Sequence, residues 1–83
     1  MKLAAKVALQ SRFLNAGQSC IGAKRFIVLE NALDAFIHEI YLLLPTYNQG
    51  DPFDATTITG PLARLDLAEN LQRQMQQSIS KGA

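Results

Sequence analysis

Residues Lys24 to Glu30 read Lys-Arg-Phe-Ile-Val-Leu-Glu, an aromatic and β-branched run without polar alternation, and it is the one strand-like run in a chain of 83 residues. Runs of this kind form strands buried on both faces, as in the interior of a parallel sheet. The segment is therefore predicted to be a buried-type strand. Such a strand carries hydrogen-bonding groups on both edges and needs neighbours to satisfy them. This chain contains none, so the fold is expected to be incomplete: either a second copy supplies an edge through the unpaired Phe26 to Leu29, or the run settles into a compromise.

Around it the periodicity is helical. Leu3, Val7 and Leu14 fall on one side of a 3.6-residue wheel with Ala4 and Ala8 beside them, which predicts a helix from about Leu3 to Asn15. Gly17 breaks it, and Ala16 to Cys20 forms a loop. After Asn31, the spacing of Leu33, Phe36, Ile37, Ile40 and Leu44 predicts a second helix that stops near Pro45. Tyr47 to Pro61 gathers Asn48, Gly50, Asp51-Pro52, three threonines and Gly60, a long turn-rich connection placed on a surface or against a ligand. A third helix is predicted from about Leu62, with Leu67, Leu71, Met75 and Ile79 as its buried stripe, a glutamine-rich solvated face, and Gly82 as the C-terminal cap. The order is helix, loop, strand, helix, loop, helix: an α/β fragment, mostly helical.

Composition narrows the functional classes. Eight basic and seven acidic residues are interspersed without a basic stripe, which argues against nucleic acid and anionic membranes as partners. The longest apolar run, Ile40 to Pro45, is far short of a membrane span, and Lys6, Gln10 and Arg12 interrupt any signal-peptide core. A single cysteine excludes an internal disulfide, and one cysteine with one histidine argues against a metal site. A free thiol fits a reducing, cytoplasmic setting. His38, four residues from Asp34 on the polar side of the second helix, reads as a solvated histidine.

Gly17-Gln18-Ser19-Cys20, between a helix and a buried-type run, is a candidate nucleophile loop, because a turn can expose a thiolate while aiming backbone amides at its target. By itself the pattern is weak, since a lone cysteine more often behaves as a small inert hydrophobe. Its surroundings are more specific. Arg12-Phe13-Leu14-Asn15-Ala16-Gly17-Gln18-Ser19-Cys20, followed by Lys24-Arg25-Phe26-Ile27-Val28, resembles the active-site cysteine signature of the aldehyde dehydrogenase superfamily. Gly50-Asp51-Pro52, Asp54, Thr57, Gly60-Pro61-Leu62-Ala63 and Lys81-Gly82-Ala83 follow in that family's order, so the resemblance covers essentially the whole chain. Ala23-Lys24-Arg25-Phe26 together with Gly60 to Leu67 is most similar to the succinate-semialdehyde dehydrogenase branch.

The resemblance implies that residues 1–83 are part of a catalytic domain in which Cys20 attacks an aldehyde, hydride passes to NAD or NADP, and water releases the acid. Cys20 is then the nucleophile and, through its own N–H, an oxyanion donor, while Asn15, Gly17 and Gln18 shape the loop. It also implies what lies outside: the family's general-base glutamate, the upstream asparagine donor and the nucleotide-binding domain precede the matched region. The chain is thus expected to bind no cofactor and to be inactive alone, with a small aldehyde as substrate of the parent enzyme. Leu14 stands where some succinate-semialdehyde enzymes place a carboxylate-holding arginine, Arg12 being two residues early, and Gly22 stands where some members carry a second cysteine. Pro45 and Tyr47 also depart from the family pattern. The alternative is a non-catalytic remnant, a homo-oligomer that self-associates or binds a partner through the unpaired strand Phe26 to Leu29.

Overall fold

The computed structural model describes residues 1–83 and contains three α-helices: α1 (Lys2–Arg12), α2 (Glu30–Leu43) and α3 (Leu65–Ser80). Two short 3-10 turns, Leu14–Gly17 and Leu44–Thr46, follow α1 and α2. α1 packs on α2, whereas α3 packs on neither. The buried apolar residues are Ala5, Ala8 and Leu9, on the face of α1 turned to the interior, and Phe36, Ile40 and Leu43 of α2 are half-buried. Small residues at the α1 crossing let the helices approach closely, but they supply little apolar area. The radius of gyration, 14.1 Å, exceeds the roughly 12 Å of a compact domain this long. The chain is an open arrangement around one small helix–helix contact.

The expected α/β architecture is not formed. Lys24–Leu29 carries no strand and the chain has no sheet; its one bridge is an isolated pairing of Gln49 with Thr59. The residue types of the run are those of a strand, but a strand is defined by a ladder, and no second run is present to complete one. Lys24–Val28 instead crosses from α1 to α2 with no backbone hydrogen bond of its own. Leu29, at φ −64 and ψ 142, leads into α2, so Glu30 is helical rather than strand.

α2 lies where the apolar spacing puts it. Pro45 sits in the 3-10 turn that ends it, where the missing N–H costs no helical bond. The first helix is shorter than its apolar spacing predicts, because the backbone turns left-handed at Asn15 and Ala16. α3 starts three residues later than predicted, with Asp66 in its first turn paired to Arg64 at 2.9 and 3.0 Å. Its stripe is not buried: Leu71 and Met75 are 55% and 53% exposed, and no residue of α3 is buried. The period of the stripe is real, but no element of this chain covers it.

The connection between α2 and α3 is ordered by its own polar groups. The Asn48 side chain donates to the Thr56 carbonyl and accepts from the Ile58 N–H, each at 3.1 Å. The Gly50 N–H reaches the Thr59 carbonyl, and the Thr59 N–H reaches the Asn48 carbonyl. Asp54 accepts from the Thr56 N–H at 2.9 Å and from its hydroxyl at 2.8 Å. Both bonds favour the ionised carboxylate, the backbone one most, and hold its pKa below the ordinary 3.8. A carboxylate depressed in the folded state stabilises above its unfolded pKa, and that contribution is lost as pH falls through the folded value. An NMR titration of Asp54 should therefore show a midpoint below 3.8, and Thr56→Ala, which removes the hydroxyl bond alone, should bring it part of the way back. An unchanged midpoint in that variant would show that the hydroxyl does not bind the carboxylate in solution.

Candidate functional site

The thiol loop is built back onto the end of α1. Three successive residues, Asn15 (φ 50), Ala16 (φ 56) and Gly17 (φ 80), occupy the left-handed region. Asparagine and glycine take that conformation readily, whereas alanine there costs about 1–2 kcal/mol. The Gln18 N–H closes the turn on the Asn15 carbonyl at 3.0 Å, and two side-chain bonds reinforce it. The Arg12 guanidinium donates through Nη2 to the Gly17 carbonyl at 2.7 Å, and the Gln18 Nε2 donates to the Asn15 carbonyl at 3.1 Å. Gln18 also reaches across the chain: its Oε1 accepts the Ala63 N–H at 2.9 Å, tying the loop to the segment that enters α3.

Beyond the turn, the chain is returned to α1 by Ser11. The Ala23 N–H is shared between the Ser11 hydroxyl at 3.1 Å and the Ser11 carbonyl at 3.2 Å. This return brings Gly22 against the backbone, where it is buried. A Cβ there would lie 3.2 Å from the Ser19 carbonyl oxygen and 3.3 Å from that of Ser11. Ser19 closes the turn from inside, its carbonyl accepting the Gly22 N–H and its hydroxyl the Ile21 N–H.

Cys20 sits at the tip of this arch, free and exposed. Its N–H donates to no group of the chain, so thiol and amide are available together at one residue. On the α3 side, Phe13, Gly17 and Gln18 face Leu62, Leu67 and Leu71 across an open cleft of about 770 Å³. The Phe13 ring stacks on Tyr47 at 5.0 Å, which fixes the end of α2 beside the loop. The structure thus brings Asn15, Gly17 and Gln18 into one hydrogen-bonded turn and leaves Cys20 at its edge. His38 is exposed on α2, and no group of three His, Cys, Asp or Glu side chains converges on a point that could hold a metal ion.

Sequence reasoning missed three contributors. Arg12 was legible as a displaced cation, but not as the clamp on the Gly17 carbonyl. Ser11 and Gly22 carried no signal beyond their nearness to the thiol, because their roles arise from a chain reversal that a linear pattern does not show.

The sequence profile of the Aldehyde dehydrogenase family matches residues 1–83, and the chain belongs to that family. It is 37% identical over 83 residues to the succinate semialdehyde dehydrogenase (NAD(P)+) Sad of Escherichia coli, a match covering 100% of this chain and 18% of the relative. It is 40% identical over 78 residues to the succinate-semialdehyde dehydrogenase (NADP(+)) of Deinococcus radiodurans, covering 94% of this chain and 16% of that protein. A lactaldehyde dehydrogenase of Methanococcus maripaludis is 37% identical over 82 residues, 99% of this chain and 18% of the relative. The chain therefore spans less than a fifth of the length of the curated relatives it matches. No solved structure matches it.

Two of these relatives are named for a nicotinamide dinucleotide. A pyrophosphate is held by free N–H groups at a helix start, after a glycine turn and away from negative charge. Here α2 follows Leu29 and places Glu30 in its first turn, and α3 follows Arg64 and places Asp66 there. A carboxylate in the first turns of α2 and α3 repels a pyrophosphate, so neither of these two starts fits a dinucleotide. No helix of the chain is long and apolar enough to cross a membrane.

Proposed function

We propose that this chain is the nucleophile-bearing segment of an NAD(P)+-dependent aldehyde dehydrogenase of the succinate-semialdehyde type, with Cys20 as the nucleophile. The observation that carries the reading is the joint availability of the Cys20 thiol and the Cys20 N–H on an arch held by Arg12, Ser11 and Gln18. With the thiol proton given up to water, the Sγ electron pair forms a bond to the aldehyde carbon, the carbonyl π pair moves to oxygen, and the resulting oxyanion accepts a hydrogen bond from the Cys20 N–H. Asn15, Gly17 and Gln18 shape the turn that presents both groups. Oxidation of the adduct requires a dinucleotide that these residues do not hold, so the 83-residue chain alone is inactive.

The names of the relatives support succinate semialdehyde, a substrate with its own carboxylate. Arg12 gives an Nη2 N–H to the Gly17 carbonyl and so serves as a clamp on the loop. A lone exposed thiol also suits the reducing cytoplasm in which such an enzyme would work.

The test is a graft. Residues 1–83 replace the matching segment of the Escherichia coli relative, and oxidation of succinate semialdehyde is followed by NADH and NADPH formation. The expected result is an active chimera and no product from the 83-residue chain alone. A chimera that folds and assembles but oxidises no aldehyde would sink the reading of this segment as catalytically competent, and NADPH formation by the isolated chain would sink its inactivity.

A further inference from the structure

Two specific contacts join the thiol loop to the connection between α2 and α3, one at each end of that connection. Where it begins, the half-buried Tyr47 ring stacks on Phe13 at 5.0 Å. Where it ends, the Ala63 N–H donates to the Gln18 Oε1 at 2.9 Å across 45 residues of sequence. Phe13 and Gln18 stand on either side of the turn Leu14–Gly17. That turn keeps Ala16 at φ 56, a conformation alanine holds only where its surroundings impose it.

The connection is built so that its two ends stay together. Asn48, next to Tyr47, donates from its side chain to the Thr56 carbonyl and accepts from the Ile58 N–H. Its backbone carbonyl accepts the Thr59 N–H at 2.9 Å, and the Gly50 N–H reaches the Thr59 carbonyl at 3.1 Å. Thr59 is thereby pinned beside Asn48. From Thr59 the chain reaches Ala63 through Pro61, whose ring fixes its own φ. The place of the Ala63 N–H under Gln18 therefore depends on the bonds that Asn48 makes.

The Gln18 amide can lie only one way round. A backbone N–H only donates and a backbone carbonyl only accepts, so the atom facing Ala63 is the oxygen and the atom facing the Asn15 carbonyl is the nitrogen. One side chain thus closes the turn with one half and anchors it with the other. Cys20 follows two residues later, on an arch whose remaining hydrogen bonds run only to α1 and to the arch itself.

We propose that Gln18 is a positioning residue through which the connection of residues 47–63 sets the placement of Cys20, so that Asn48 governs the nucleophile at a distance. Asn48 is hydrogen-bonded to no residue of the thiol loop and acts through the Ala63 N–H alone. The proposal rests on the reading of Cys20 as the nucleophile.

The two halves of Gln18 are separable by substitution. Gln18→Met keeps the length of the side chain and removes both bonds, whereas Gln18→Glu keeps an acceptor for the Ala63 N–H and gives up the donor. In the grafted enzyme, Gln18→Met and Asn48→Ala should each lower kcat about tenfold and leave KM for succinate semialdehyde within about twofold, because a displaced nucleophile weakens the transition state and not substrate binding. Gln18→Glu should stay within about threefold of the parent. Gln18→Met combined with Asn48→Ala should be no slower than Gln18→Met alone, since the second change acts through the bond that the first removes. Circular dichroism checks that the helices persist in each variant.

The 83-residue chain supplies readouts that do not depend on turnover. Hydrogen exchange at the Ala63 amide should be about fivefold faster in Gln18→Met and unchanged in Gln18→Glu. Asn48→Ala should move the Cys20 amide resonance in the parent chain, and should not move it once Gln18 is replaced by methionine. A graft of the parent segment that oxidises no aldehyde would sink the catalytic reading, and these two measurements would still decide the coupling. Ala63 exchange that ignores Gln18→Met overturns the proposal, as does a Cys20 resonance that ignores Asn48→Ala. So do losses of kcat that multiply in the double variant, or a glutamate variant as slow as the methionine one.

Discussion

Serine in place of Cys20 should lower oxidation of succinate semialdehyde by the grafted enzyme at least about a thousandfold. The substitution changes one atom. It keeps the N–H that would meet the oxyanion, and it leaves the Arg12–Gly17, Ser11–Ala23 and Gln18–Ala63 bonds that hold the arch. What it removes is an intrinsically reactive sulfur nucleophile, putting in its place a hydroxyl that needs a dedicated base. A fall confined to kcat/KM and kcat together, with dinucleotide affinity unchanged, would separate a lost chemical step from a disturbed fold. Ser19→Ala is the matched comparison. Its hydroxyl accepts one exposed bond from the Ile21 N–H at 3.3 Å, so removing it should change turnover by less than about tenfold. If the Cys20 and Ser19 variants proved equally active, Cys20 would be a structural residue and its motif a mark of ancestry alone.

The two results would assign different layers of the site. Cys20 tests the reacting atom, whereas Ser19, Ser11 and Arg12 test the support under it. The distinction matters because the support is local. Every bond of the arch except Gln18 to Ala63 joins residues within twelve positions of one another. A segment containing both the proposed nucleophile and most of its scaffold can carry its geometry into a larger protein, which is why the graft is a fair experiment despite a core of so few buried side chains.

How far the chain could be read in advance varied with what each feature depends on. α2 was legible because Phe36 and Ile40 recur at helical spacing and do turn inward. The stripe of α3 was equally legible as a helix but not as an exposed one, since Leu71 and Met75 specify a face and say nothing about what covers it. Lys24–Glu30 failed for the same reason. Its residues favour a pleated, two-sided burial, and that preference is expressed only when another edge is present. At the site, Cys20 and Gly17 stood out through residue type. The left-handed path through Asn15, Ala16 and Gly17 did not, because alanine at φ 56 runs against its own preference and is held there by Arg12 and Gln18. Bonds that form only after the chain has reversed direction leave no period in the sequence.

Gly22→Val should open the arch itself while leaving the thiol in place. Glycine is needed at this position for space: a Cβ would meet two carbonyl oxygens at 3.2 and 3.3 Å and the Arg12 guanidinium at 3.4 Å. Those oxygens cannot swing aside as a side chain would, since the Ser19 carbonyl holds the Gly22 N–H and the Ser11 carbonyl holds the Ala23 N–H. Branched bulk at Gly22 must therefore separate the returning limb of the arch from α1, at a cost of about 1–3 kcal/mol for an overpacked site. Hydrogen exchange at the Ala23 amide reads this directly, and its protection should fall by about tenfold or more, each roughly 1.4 kcal/mol being one factor of ten. Gly60→Ala provides the contrast, because a Cβ there meets only Pro52, at an ordinary 3.9 Å, and it should leave exchange at Ala23 unchanged. In the grafted enzyme the same Gly22→Val change should depress turnover with Cys20 still present and alkylatable. Retained protection at Ala23 in the valine variant would mean that the arch does not close on Ser11 in solution, and that the exposed thiol is presented by some other path of the chain.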